Sequence, residues 1–156
     1  MLYKVKGGIG LKKLVFFFLT SFWVTFIFYN SLQSGQDSAA ISGRFVSLFY
    51  KIFKWFKISI EIEKLSYCIR KAAHMFEFFL LAVLVFPVFE NKKCKYLFVL
   101  IFGLIIAVID ETIQMFIPGR MNSLLDIAID FFGVFIAVLV HLLVCALRNK
   151  KYLNIN

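Results

Sequence analysis

Apolar residues fall into four long blocks along the chain, at about 14–32, 72–89, 96–117 and 124–147. Each is close to the ~20 residues that a helix needs to cross ~30 Å of hydrocarbon. Helices satisfy their own backbone groups in lipid, whereas four strands are too few to close a barrel. The pattern therefore predicts an all-α integral membrane protein, a four-helix transmembrane bundle in a single domain. Pro118-Gly119 ends the third block as a turn pair, and Arg148, Lys150 and Lys151 close the fourth. Lys4, Lys6, Lys12 and Lys13 precede the first block as a signal peptide's basic region would, but the run is long and no small-x-small site follows. It is expected to remain a helix.

Between the first two blocks the period changes. Arg44, Ser47, Lys51 and Lys54 recur at three- and four-residue steps, and Ile41, Phe45, Leu48, Phe49, Ile52, Phe53 and Phe56 fill the other side. Residues 39–57 thus read as an amphipathic segment in the membrane interface, either covering the bundle or meeting anionic headgroups.

Polar residues interrupt the blocks in three places: Arg70, Lys71, His74 and Glu77; then Asp110, Glu111 and Gln114 through Arg120; then Ser123, Asp126 and Asp130. Helical spacing puts Arg70, His74 and Glu77 on one face with Leu81. It puts Asp110, Glu111 and Gln114 on a stripe with Gly103 and Ala107, and Asp126 and Asp130 on a stripe with Gly133, Ala137 and His141. Small residues mark packing faces, so these charges are expected to point into the bundle. Alternating helix direction gathers all three groups at one membrane face, with Arg120 in the turn above them. His141 lies at the far end of its stripe and is expected to be a core histidine with its hydrogen bonds satisfied.

Composition supports the membrane reading. The chain is 62% hydrophobic with 21 Phe, against roughly 45–50% apolar for a soluble domain. The net charge of +9 does not indicate nucleic acid, because the Lys and Arg flank the apolar blocks as membrane anchors do. Cys68, Cys94 and Cys145 have neither metal-site spacing nor a disulfide framework. With both termini inside, ten Lys and Arg fall on the cytoplasmic side and eight on the outer side. The short basic loop at 90–95 and the basic termini favour this orientation, which places the polar cluster outside.

The cluster holds Arg70, Lys71 and Arg120 against Glu77, Asp110, Glu111, Asp126 and Asp130. A charge at the bilayer centre costs roughly 2.5–3.5 kcal/mol on insertion scales, so such groups usually carry function. Three uses are open. An internal ion-pair network can fix helix register. A binding site can hold phosphate or carboxylate on Arg70 and Arg120, with Lys71, Gln114, Ser123 and Asp130 beside them. A catalytic site can use His74 as general acid or base with Glu77, and Asp110, Glu111 and Asp126 can hold a divalent cation through oxygen. No Gly-x-Ser-x-Gly nucleophile motif is present, and Ser123 is an isolated candidate.

At these residues the chain resembles the VanZ-like family. The matching pieces are Ser31-Leu32-Gln33-Ser34-Gly35 with Ser38 and Ser42, then Lys71, His74 and Glu77, then Asp110, Glu111 and Gln114. Pro118-Gly119-Arg120 follows, then Ser123, Asp126 and Gly133. Asp130 stands where the family usually has Asn, and Phe78 where an aromatic hydroxyl is often found. The resemblance implies a bacterial multi-pass cell-membrane protein, some of whose relatives lower sensitivity to lipoglycopeptide antibiotics such as teicoplanin. Membrane lipids, and a lipid head group, lipid-linked wall precursor or lipoglycopeptide, are the partners it suggests. It supplies no reaction.

Overall fold

The computed structural model describes residues 7–120 and 123–153; only the backbone is described at 7–9, 35–39, 41, 149 and 151–153. Five helices follow one another: α1 (Gly7–Ser31), α2 (Gly35–Trp55), α3 (Ile62–Phe89), α4 (Lys95–Gln114) and α5 (Leu124–Leu153). Helices α1, α3, α4 and α5 are each long and apolar enough to cross a membrane. No strand occurs among the described residues. Lys4 and Lys6 lie outside the described residues, as do the side chains of Ser38, Ile41 and Lys151.

The spans differ from the apolar blocks at their polar ends. Helix α3 begins at Ile62 rather than 72, because Lys64, Arg70 and Lys71 interrupt hydrophobicity without opposing helix. Helix α4 stops at Gln114 rather than 117, since the residue before a proline avoids helical geometry and the turn tightens ahead of Pro118. Helix α2 starts at Gly35 rather than 39 and ends at Trp55. Its end is closed by Ile58 N–H on the Phe53 carbonyl (2.9 Å) and Lys57 N–H on that of Lys54 (3.0 Å), with Lys57 in the left-handed region.

The core runs along the bundle axis through Ile27, Phe78, Leu81, Val85, Val99 and Val134, each no more than 1% exposed. Outward, α1 presents Leu11, Phe18 and Phe22, α4 Leu97 and Ile105, and α5 Leu139 and Leu143. This inverted surface is what a lipid-facing bundle needs. Among the described side chains of α2 only Val46 is buried, while Phe45, Leu48, Phe49 and Ile52 stay exposed. Such an apolar face without protein cover suits an interfacial helix.

Two glycines set how closely the helices approach. A Cβ at Gly103 would meet Val134 Cγ2 at 2.6 Å, and one at Gly133 would run into the Met75 carbonyl oxygen and lie 3.1 Å from Phe79 N. Both stripes of small residues therefore are packing faces, as the spacing predicts. Gly133 is the closer constraint on the polar end, for it presses α5 onto α3 one residue past His74 and one turn from Asp130.

Candidate functional site

The polar residues meet at one end of the bundle, built from the end of α1, the first half of α3, the end of α4 and the start of α5. Asp110, Glu111, Gln114 and Asp130 are buried, at 0%, 2%, 7% and 3% exposure. Asp110 accepts hydrogen bonds on both oxygens, from Ser31 Oγ on Oδ1 and from Gln114 Nε2 at 2.7 Å on Oδ2. Glu111 Oε1 accepts from the backbone N–H of Ser123 at 2.7 Å, while its Oε2 is buried without a partner. Lys71 Nζ pairs with Asp126 Oδ1 at 2.5 Å in a largely covered position.

His74 and Glu77 face each other less tightly. Nδ1 of His74 stands 3.8 Å from Oε2 of Glu77, and both atoms are buried without a hydrogen bond. The other Glu77 oxygen accepts from Asn30 Nδ2 at 2.9 Å, and the Glu77 carbonyl accepts from Trp23 Nε1 at 2.9 Å. A ring nitrogen of His74 and carboxylate oxygens of Asp110 and Asp130 lie within 4.8 Å of one another. The expected oxygen set of Asp110, Glu111 and Asp126 is not the one that converges: Asp126 is held by Lys71 and Glu111 by the Ser123 backbone.

Local sequence explains where Arg120 sits. Pro118 fixes one turn position, Gly119 takes φ 78°, and Arg120 N–H closes on the Ile117 carbonyl at 3.2 Å. This is the pattern of a type II turn, which needs a residue tolerant of positive φ at its third place. The turn folds Arg120 back over the cluster, and its Nη2 donates to the Asn30 carbonyl at 3.2 Å. Burial draws the guanidinium below its usual pKa; Asp110 opposes this and Arg70 adds to it. Ser123 then caps α5, its Oγ accepting from Leu125 N–H at 3.2 Å. A hydroxyl spent on a cap is a weak nucleophile candidate.

Two cavities open beside the cluster. One, of about 300 Å³, is bounded by Asn30 and Gln33 of α1, Phe45 and Phe49 of α2, and Arg70, His74, Glu77 and Arg120. The second, of about 400 Å³, is bounded by Tyr67, Lys71, Gln114, Ser123 and Asp126, and again by Arg70, His74 and Arg120. Those last three form the shared wall. Among the described residues neither Arg70 nor Arg120 makes an ion pair, whereas Lys71 does.

Every sequence-predicted site residue is thus at this end. Asn30, Ser31 and Trp23 were not predicted as members. Asn30 and Ser31 carried a signal, being polar at the end of an apolar span that alternation places on this face. Trp23 carried none, because a mid-span tryptophan reads as core or lipid anchor until its N–H finds an acceptor. His141 is at the other end, as expected, with Nδ1 3.3 Å from Tyr96 Oη and its ring stacked on Phe86 at 4.2 Å.

A family model described as VanZ/LLP1 matches residues 16–145. No curated protein and no solved structure matches the chain. The match runs from within α1 to within α5 and takes in the whole polar cluster, from Trp23 through Asp130, so this chain belongs to the VanZ/LLP1 family.

Proposed function

We propose that the polar end faces outward and captures the anionic head group of a membrane-embedded amphiphile, in a role in envelope homeostasis or lipoglycopeptide resistance. The observation that carries this reading is the wall of Arg70, His74 and Arg120 shared by the two cavities, with both guanidiniums free of carboxylate partners among the described residues. A guanidinium offers planar paired donors that match phosphate or carboxylate. The cavities are of ligand size by the usual ~300–1,000 Å³ measure. Phe45 and Phe49 of interfacial α2 supply an apolar wall where an acyl chain would lie. A lipid, a lipid-linked wall precursor and an acylated glycopeptide share this chemistry of anionic head and apolar tail.

The test compares Arg120→Lys, His74→Ala and Glu111→Gln for phenotype per amount of protein in the membrane, with mass spectrometry of co-purifying lipids. Each variant is expected to lose phenotype while membrane levels hold. A fall in phenotype that only tracks abundance in all three would leave the cluster as an internal brace. Labelling of single cysteines with an impermeant reagent tests orientation: position 120 should label in intact cells and position 150 should not.

A second reading, an enzyme acting on the same head group, draws support from the His74–Glu77 pair at 3.8 Å with both facing atoms unpartnered. Such a pair is placed to pass a proton between imidazole and carboxylate. Chemical change of the captured amphiphile, seen as a mass shift that needs His74, separates turnover from binding.

A further inference from the structure

We propose that His74, Asp110 and Asp130 bind one divalent transition-metal ion, of the zinc or manganese class, beneath the arginine-lined cavities. One ring nitrogen and two carboxylate oxygens lie within 4.8 Å of one another. Three atoms so spaced share a centre no more than about 2.8 Å from each, against ligand distances of ~2.0–2.2 Å for zinc, so small side-chain rotations close the set. The ligands come from three helices, α3, α4 and α5. Their backbones are held close by Gly133 against Met75 and Gly103 against Val134.

Asp130 points to a ligand independently of that spacing. It is 3% exposed and, among the described residues, takes neither a hydrogen bond nor an ion pair. Buried carboxylates are ordinarily paired or bound to metal. Asp110 is held differently, with Ser31 and Gln114 fixing its two oxygens as hydrogen bonds from outside a metal site orient its ligands. With Nε2 of His74 as the ligand atom, Nδ1 is left facing Glu77 Oε2 at 3.8 Å, which a small side-chain shift would close into a carboxylate–histidine–metal arrangement.

Charge gives a further argument. Setting aside the Lys71–Asp126 pair, the cluster holds Glu77, Asp110, Glu111 and Asp130 against Arg70 and Arg120. The formal excess is two negative charges, which one divalent ion cancels. An imidazole ligand disfavours calcium and magnesium, while two carboxylates disfavour copper(I), leaving the divalent first-row ions, of which zinc and manganese are the probes used below.

The experiment uses the full chain in detergent, with exposed Cys68 and Cys94 alkylated so that thiols do not take up zinc. After chelation and reloading with Zn²⁺ or Mn²⁺, elemental analysis is expected to find about one ion per chain. Asp130→Asn, close to isosteric, and His74→Asn should each weaken binding at least tenfold while melting of the metal-free protein stays unchanged. If either variant fails to fold, the other decides. Wild-type protein that takes up no ion, or a folded variant that binds as tightly as wild type, overturns the proposal. Arg70→Gln separates this inference from head-group capture, since it should retain the ion while losing the amphiphile.

Discussion

The two ends of the bundle carry the same residue types and use them differently. Each has one histidine on an interior helix face. His141 sits between aromatic rings, near Tyr96 Oη at 3.3 Å and Cys145 Sγ at 3.6 Å, in a cavity that Lys12, Glu90, Lys95 and Arg148 also line. His74 has a buried Nδ1 without a hydrogen bond, three carboxylates on adjoining turns and helices, and Arg70 and Arg120 lining the same cavities. Each end also has a lysine–carboxylate pair. Lys12–Glu90 is half exposed, at 54% for both side chains, while Lys71–Asp126 is 23% and 15% exposed. At the far end His141 and Glu90 have partners, and among the described residues the buried polar atom left without one on that side is Thr20 Oγ1, midway along α1. The near end retains buried groups whose partners the described residues do not supply. An unpaired polar group is costly in an apolar environment, and the gathering of His74 Nδ1, Glu77 Oε2 and Glu111 Oε2 at one end is what supports the proposed site there.

The comparison is tested most severely at Gly133. Gly133→Val must push α5 off the α3 backbone, a loss of about 3 kcal/mol or more, seen as a collapse in membrane level and melting temperature. Gly10→Val meets nothing within 4 Å and should leave both unchanged. Equal effects would show that the near end owes nothing to close backbone approach.

Lys71→Met comes next. It strands Asp126 in a mostly covered place and should cost about 1–3 kcal/mol, below the range for fully buried pairs. Lys71→Met with Asp126→Leu should recover most of that loss in a denaturant titration. Failure to recover would mean that the pair with Asp126 is not what Lys71 contributes to stability.

His141→Phe preserves the stack on Phe86 and removes one hydrogen bond to a tyrosine, so a change of about 1 kcal/mol or less is expected, with full phenotype. Loss of phenotype at normal abundance would give the far end a role equal to that of His74. Smallest of all, Lys12→Ala should shift stability by no more than about 0.5 kcal/mol, because the pair with Glu90 is solvent-facing. A larger shift at raised salt would move that end out of the scaffold class.

Sequence by itself determined the four spans, the interfacial segment, and which residues share the polar end. Those follow from hydrophobic length, helical period and alternating direction, all local or additive properties of the chain. The stripes Gly103–Ala107–Asp110 and Asp130–Gly133–Ala137 were legible for the same reason, and both prove buried. What periodicity could not assign was pairing. By period alone Lys71 had five carboxylates to meet; Asp126 takes it because α5 enters beside the first turns of α3, fixed by backbone contact at Gly133. Asn30, Ser31 and Trp23 joined the cluster only once α1 packed on α3 and α4, and the converging triad became His74, Asp110 and Asp130 rather than an all-oxygen set. Period tells which face a side chain occupies, but its partner depends on the depth and rotation of a different helix, and these are decided by interhelical packing.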